Sequence, residues 1–99
     1  MISIKIHSTY REVVAVCDSS LIGRKLEEDI RQLHITESFF KGESFDLNKA
    51  TIMLKRRAEE DATFNIVGSD SIKAAKAAGI IDDSGISTIQ GVPFALVLV

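Results

Sequence analysis

The sequence predicts a single α+β domain, a mostly antiparallel sheet of about five to six strands with two helices packed on it. Two observations support this prediction. Strand-like runs open and close the chain, and two helical segments with a strand between them lie in its second half. The 99 residues suffice for one hydrophobic core and are too few for two, so residues 1–99 are assigned to one domain.

The amino-terminal half predicts three strands. Ile2, Ile4 and Ile6 alternate with polar residues, which is typical of a strand with one buried face. Val13–Cys17 follows after a short polar stretch, so these two runs are predicted to form an antiparallel hairpin. The second strand is apolar on both faces and is therefore placed centrally in the sheet. Residues 30–35 alternate weakly and predict a third, more exposed strand.

A loop and a helix follow. Phe39–Gly42 is predicted to be a loop whose two aromatic rings fix it against the sheet. Asp46 is a good N-cap for a helix that ends near Glu59. The apolar stripe of this helix has spacings of three and four. It consists of Leu47, Ala50, Met53, Leu54 and Ala58.

The stretch from 62 to 79 predicts a strand, a glycine turn and a second helix. Thr63–Val67 is the strand, Gly68 is the turn, and Ser69 or Asp70 is expected to cap the helix. Gly79 suits the left-handed position just after a helix.

Two strands are predicted to close the chain. They are Ile86–Gln90 and Phe94–Val99, the second of which is expected to be buried on both faces. Pro93 cannot donate a ladder hydrogen bond and suits the start of that strand.

Composition excludes several classes of function. The net charge of −2 and the mixing of both signs argue against a surface for duplex DNA. One cysteine excludes a disulfide framework and a four-thiolate zinc site. The chain has neither a run of about 18 apolar residues nor a signal-peptide pattern at its start. A cytoplasmic protein without a cofactor is therefore expected.

The Gly68 turn is the natural place for a bound anion, because the amides of a helix start are free there. A lone glycine is a weak signal, and Asp70 would repel an anion, so an ordinary capped helix start is the favoured interpretation. Asn65 is a polar amide in an apolar strand, which either bonds to backbone or binds a ligand. The candidate ligand-binding residues are Cys17, Asp18, Gly23, Asn65 and Gly68.

Catalysis and metal binding are both disfavoured. Cys17 lies at a strand end with His7 as a candidate neighbour, but a nucleophilic thiolate needs a lowered pKa and a base. Cys17, His7 and His34 lack the paired spacing of zinc ligands, so no metal site is predicted. Whether the protein is an enzyme is left open, with the balance against it.

Basic and aromatic residues interleave along the chain, as they do in proteins that bind single-stranded RNA by stacking and charge. The alternative is that the aromatics belong to the core and the charges are solvated. The candidate RNA-binding residues are Arg24, Lys25, Phe40, Lys41, Arg56 and Arg57.

Three motifs, in order from the second strand to the end, resemble the archaeal domain-of-unknown-function family 424. The first is Cys17-Asp18 followed by Leu21, Gly23 and Lys25. The second is Phe39-Phe40-Lys41-Gly42, where the family tends to have Phe-Tyr-x-Gly. The third comprises Ala62, Asn65, Val67 and Gly68, then Gly79-Ile80, then Ile89-x-Gly91-Val92-Pro93-x-Ala95.

The resemblance implies a small archaeal protein of the cytosol, without an established activity, that associates with the translation machinery. One departure is evident. The family's closing motif resembles Gly-Val-Pro-His-Ala-Gln, whereas Phe94 and Leu96 stand here in place of the two polar residues. A function of the family that used that histidine would be lost or changed in this chain.

The function expected is therefore a non-catalytic binding or adaptor domain that contacts RNA or a protein partner of the translation machinery. The competing expectation is a small-ligand protein or enzyme that uses the Gly68 turn and the strand end at Cys17 and Asp18. A homodimeric structural module is a third alternative.

Overall fold

The computed structural model describes residues 1–98, which form a six-stranded sheet, a separate two-stranded sheet and three α-helices. The elements are β1 (Ile2–His7), β2 (Val13–Asp18), β3 (Lys25–Glu28), β4 (Arg31–His34), α1 (Glu37–Phe40), β5 (Glu43–Phe45), α2 (Leu47–Glu59), β6 (Thr63–Val67), α3 (Ser69–Ala77), β7 (Ser87–Ile89) and β8 (Val92–Val97). Two short 3-10 helices lie at Ser19–Leu21 and Asp83–Gly85.

The main sheet has the strand order β5-β1-β2-β6-β8-β7. Only β2 and β6 are parallel to each other, and the other neighbouring pairs are antiparallel. The predicted α+β class and mostly antiparallel sheet are therefore confirmed. The predicted hairpin of β1 and β2 is also confirmed, with Ile2 opposite Asp18 and His7 opposite Val13. As its two apolar faces predict, β2 is central.

Both faces of β2 are buried, each against a different cover. The first face packs on α2 and α3. The core on this side includes Ile2, Ile4, Val14, Val16, Ala50, Leu54, Phe64, Ile66, Ile72 and Ala75. The second face packs on α1, on the loop before β3 and on the β3–β4 hairpin. Its core is Ala15, Cys17, Leu21, Leu26, Ile35, Phe40, Val67 and Ile89.

The cover of the second face corrects two predictions. The strand predicted at residues 30–35 exists as β4, but it pairs with β3 in a sheet of its own instead of joining the main sheet. The segment of β3 gives no clear strand signal, because only Leu26 of its four residues is apolar. Phe39–Gly42 is not simply a loop, since Phe39 and Phe40 end the short helix α1, which Thr36 caps.

The polar face of β1 holds α1 in place. Its side chains reach three consecutive carbonyls at the end of that helix, which have no partner within the helix. The bonds join Ser3 Oγ to Phe40 O at 2.9 Å, Lys5 Nζ to Ser38 O at 2.7 Å and His7 Nε2 to Phe39 O at 2.8 Å. Because a carbonyl only accepts, Nε2 of His7 carries the proton. The His7 ring also stacks on Phe39, with centroids 4.6 Å apart.

The predicted start of α2 and the predicted end of α3 are confirmed. Asp46 caps α2 by accepting from Lys49 N at 2.8 Å. Gly79, at φ +77°, follows α3 in a Schellman motif. In that motif Gly79 N donates to Lys76 O and Ile80 N donates to Ala75 O, both at 3.0 Å.

The last strand departs from its prediction. Ala95 is buried in β8, but Leu96 and Leu98 are 59% and 72% exposed, so the run is not buried on both faces. These two side chains lie beyond the cover that α1 and the β3–β4 hairpin give to the second face. Pro93 lies near the start of β8 as predicted, and Val99 lies outside the described residues. Within residues 1–98, no helix has the length and apolarity to cross a membrane.

Candidate functional site

The start of α3 is capped by a residue from another strand. Oδ1 of Asp18 accepts from Ser71 N and from Ser71 Oγ, both at 2.8 Å, and Oδ2 accepts from Asp70 N at 3.2 Å. The N-cap position itself is Gly68, which has no side chain. The prediction that Ser69 or Asp70 caps this helix is therefore wrong.

The parallel pairing of β2 and β6 explains this arrangement. Cys17 lies opposite Val67, so the carboxyl ends of the two strands meet at the same edge of the sheet. Asp18 consequently comes to lie beside Gly68, with its carboxylate at the free amides of α3. Negative charge at a helix start is favourable because of the helix macrodipole. The cap therefore joins β2 to α3 across 52 positions of sequence.

Gly68 is required at this place for two reasons. Its φ of +112° lies in a region that L side chains rarely adopt. A Cβ at this position would also lie 2.4 Å from Cγ of Asp18 and 2.6 Å from each carboxylate oxygen. The glycine turn therefore accommodates a carboxylate that belongs to the protein itself.

The turn is consequently closed to an external anion. The amides of residues 70 and 71, which would hold a phosphate, already donate to Asp18. A bound anion would have to displace this carboxylate and remain close to a second one, that of Asp70, in the first turn of α3. The geometry supports the capped-helix interpretation of this turn.

Cys17 is unsuited to nucleophilic chemistry. It is fully buried in the core of the second face. Burial, and to a smaller extent the charge of Asp18, raises the pKa of its thiol to about 12. It lies opposite Ser3, whereas His7 lies at the other end of β1. Among residues 1–98, no three histidine, cysteine or acidic side chains are grouped to hold a metal ion.

Asp18 and Gly68 lie in contact, but the five candidate ligand-binding residues do not form one site. Cys17 and Asn65 belong to the second face of the sheet, whereas the Asp18 side chain extends to α3 on the first face. Asn65 is half-buried between Ala15 and Leu96, and its amide side chain makes no hydrogen bond within the described part of the chain. Gly23, at φ +90°, donates to Ile35 O at 2.6 Å and so joins the ends of the β3–β4 hairpin.

The candidate RNA-binding residues are also dispersed. Arg24 and Lys25 lie at the β3–β4 hairpin and Lys41 follows α1, and these elements cover the second face. Arg56 and Arg57 lie on α2, which covers the first face. Two of the cations have acidic partners, which are Glu27 for Lys25 and both Glu12 and Glu60 for Arg57. Phe40 is 4% exposed, so its ring is not available for stacking on a base.

Sequence reasoning missed a surface on α2. Ile52 is 55% exposed, and Lys49, Lys55 and Arg56 surround it at positions i−3, i+3 and i+4. We call these four residues the α2 cationic surface. It adjoins a cavity of about 190 Å³ that Phe45 and Met53 also line. The signal in the sequence was the position of Ile52 among cations, outside the apolar stripe of the helix.

The outer edge of β8 is a second open surface. On this side β7 pairs only with residues 92–94 of β8. Pro93 O accepts from Gly68 N at 2.8 Å, and strand residues alternate in direction, so the N–H and C=O of Leu96 are directed away from β6. Within the described residues no strand pairs with these main-chain groups of Leu96. A groove of about 390 Å³ runs beside this edge, between residues 79–82 and residues 96–98.

The model of the family described as "Protein of unknown function (DUF424)" matches residues 6–99. The chain belongs to this family. The resemblance that its motifs indicate is thus confirmed. The DUF424 chain is also similar to a solved structure titled "Crystal structure of an uncharacterized conserved protein from Methanopyrus kandleri". The two share 28% identity with a TM-score of 0.87, over 96% of this chain and 88% of the other. No curated protein matches.

Three residues that indicate the family have structural roles in this chain. Asp18 caps α3, Gly68 makes room for Asp18, and Gly79 ends α3. Phe94, which stands where the family tends to have histidine, packs half-buried against the core of the second face. The motifs therefore indicate the fold of a DUF424 protein.

Proposed function

We propose that this DUF424 chain is a non-catalytic binding domain of the cytoplasm, an adaptor that contacts a partner of the translation machinery. The contact between Asp18 and Gly68 is the observation that carries the proposal. It fills the helix start at which a small anionic ligand would otherwise bind. The other candidate for chemistry, Cys17, is sealed in the core. Open surfaces remain on α2 and at the β8 edge, and these suit macromolecular contacts.

A protein is the better supported class of partner. RNA recognition by stacking needs exposed aromatic rings beside a basic groove. Here Phe40 is buried, and Phe39 packs half-buried between His7 and Phe40 on the face opposite α2. The ring of Tyr10 is exposed, but it lies in the loop between β1 and β2, outside the α2 cationic surface. The link to translation comes from the family resemblance alone.

Affinity capture tests this function. The tagged chain would be used to recover partners from a native lysate of an archaeon that encodes it, over a series of salt concentrations, with and without nuclease. We expect a ribosomal or initiation protein in a fixed ratio to the chain, retained after nuclease treatment. Loss of every partner on nuclease treatment would favour RNA. Recovery of the chain alone at every salt concentration would overturn the proposal.

The competing function, a small-ligand protein at the Gly68 turn, makes a different prediction. Nucleotides and inorganic phosphate would then raise the melting temperature by mass action. We expect no change, because Asp18 already occupies the amides of α3. A concentration-dependent rise that becomes larger in Asp18→Asn, which removes the negative charge that competes with the anion, would favour the competing function.

The β8 edge supports a second candidate function, that of a homodimeric module. Two antiparallel β8 strands related by a two-fold axis near Val97 would place Leu96 of one copy opposite Leu98 of the other. Their free main-chain groups would then pair, and four exposed leucine side chains would pack together. Light scattering should report a dimer that Leu96→Lys dissociates. Ile30→Lys is the control, since Ile30 is 99% exposed on the β3–β4 turn. A monomer at all concentrations would exclude this candidate.

A further inference from the structure

We propose that the α2 cationic surface binds a short acidic segment of a partner protein, in which carboxylates flank one apolar side chain. This inference rests on the proposed binding function and specifies its partner. It follows from the placement of one exposed aliphatic side chain, three cations and a cavity on the same side of α2.

The centre of the surface is apolar. Ala50 and Leu54, which face the sheet, are fully buried, whereas Ile52 points outward and is 55% exposed. A single exposed apolar residue is common and by itself indicates nothing. Ile52, however, borders a cavity of about 190 Å³ whose lining also includes the half-buried Phe45 and Met53. An apolar side chain of a partner can therefore lie against Ile52 with its tip in this cavity.

The rim of the surface is cationic. Lys49, Lys55 and Arg56 make no ion pair within residues 1–98, although Arg57 on the same helix pairs with Glu12 and Glu60. The chain as a whole carries a net charge of −2, so this concentration of positive charge contrasts with the rest of the molecule. Charge complementarity therefore favours an acidic partner.

The charge of Lys49 does not stabilise the helix on which it lies. It belongs to the first turn of α2, where the macrodipole disfavours a cation and where the helix has no acidic residue. Asp46 caps this turn through its bond to the main-chain amide of Lys49, not to the ammonium group. The ammonium group of Lys49 is thus available to a partner, as is the guanidinium of Arg56 two turns later in the helix.

The composition of the surface also favours a protein segment over RNA. Ile52 at its centre is aliphatic, and Phe45, the aromatic residue that lines the cavity, is half-buried, so the surface offers no open aromatic face to a base. RNA would satisfy the three cations and leave the apolar centre without a partner. An acidic segment with a leucine or a similar residue satisfies both parts.

Titration with synthetic peptides followed by NMR tests the inference. The probe is a peptide of glutamates around one central leucine, added to the full chain up to millimolar concentration. A peptide with serine in place of leucine and an oligouridylate RNA are the comparisons. We expect shifts at Ile52, Met53 and Phe45, and an affinity for the leucine peptide about tenfold above that for the serine peptide, which corresponds to about 1.4 kcal/mol. Lack of binding, equal affinity for both peptides or tighter binding of the RNA would overturn the inference.

Charge-reversal variants complete the test. Lys49→Glu with Arg56→Glu should weaken binding of the leucine peptide by about tenfold or more, because attraction becomes repulsion at both ends of the surface. Lys73→Glu with Lys76→Glu is the matched control, since both lysines are exposed on another helix, α3, outside this surface. In lysate capture, loss of the partner only with the first pair supports the inference. If both double variants still capture the partner, the inference is wrong and the proposed binding function stands. If the wild-type chain captures no partner, the proposed function itself is wrong.

Discussion

The carboxyl carbon of Asp18 lies 2.4 Å from the point that a Cβ atom on Gly68 would occupy. This contact joins the end of β2 to the start of α3, because the same carboxylate accepts three hydrogen bonds from residues 70 and 71. A position that resembles a phosphate-binding turn in the sequence is thus a closed structural joint in the fold.

Replacing Gly68 by alanine should destabilise the domain severely. The new Cβ would overlap the Asp18 carboxylate, and alanine is strained at a φ of +112°. We expect a loss of about 3 kcal/mol or more in the free energy of unfolding, measured by urea denaturation. Gly79→Ala is the control. It also has positive φ but no atom within 4 Å of its Cβ, so a loss of only about 1 kcal/mol is expected.

A double-mutant cycle separates overlap from backbone strain at this joint. Asp18→Ala alone removes the cap of α3 and should cost about 1–2 kcal/mol. In the Asp18→Ala background no carboxylate overlaps the new Cβ atom. The loss of unfolding free energy caused by Gly68→Ala should therefore decrease to the part that comes from backbone strain. Additive losses would show that the carboxylate does not restrict position 68.

The sequence predicts the local parts of this fold well. The strand β1, the cap at Asp46 and the helix end at Gly79 are decided by residues close in sequence, and all three are observed. The cap of α3 was mispredicted because it comes from Asp18, more than fifty positions away, and no local pattern encodes it. The separate β3–β4 sheet was missed for a similar reason, since its few apolar residues pack on a distant strand.

The candidate sites were less predictable than the fold. Composition alone could not tell which residues would share a face, and the structure separates Asp18 from Asn65 and Arg24 from Arg56. Ile52 was overlooked because it lies outside the stripe that marks the buried side of α2. The candidate binding residues of α2 are thus those that do not pack in the core.

Cys17 should be inert in the folded protein. Its thiol is fully buried with a pKa raised to about 12, so a disulfide reagent at pH 8 should react with it only on the timescale of unfolding. The folded pKa exceeds the usual value of 9.0 for an exposed thiol. The resulting stabilisation is complete below pH 9 and is lost as the pH rises towards 12. Cys17→Ala should remove this component of the alkaline loss of stability, and rapid labelling under native conditions would contradict the prediction.

Replacing Ser3 by alanine should loosen α1. Ser3 Oγ donates to Phe40 O and accepts from Gly42 N, both at 2.9 Å, and the residue is 2% exposed. The variant leaves two polar groups without their partner, which costs about 1–3 kcal/mol. Ser44→Ala is the control because Ser44 is exposed in the edge strand β5. Equal melting temperatures for the two variants would show that this hydroxyl does not hold the helix.

Acid should release the β3–β4 hairpin from the main sheet before the domain unfolds. Glu28 Oε1 accepts from Gln90 N at 2.9 Å, and Oε2 accepts from Arg31, whose guanidinium also donates to Thr88 O at 2.9 Å. The hydrogen bond from the Gln90 amide, and to a smaller extent that from Arg31, lowers the pKa of Glu28 below its usual value of 4.5.

Because the folded pKa of Glu28 is lowered, the stabilisation that its carboxylate provides is present above pH 4.5 and is lost as the pH falls through the folded value. Amide hydrogen exchange in β3 and β4 should therefore accelerate in acid relative to β2, and Glu28→Gln should show the faster exchange already at neutral pH. Glu27→Gln is the control, since Glu27 contacts only the exposed Lys25 through its carboxylate. Exchange that accelerates equally in all strands would instead indicate global acid unfolding, with no separate role for the contact between Glu28 and Gln90.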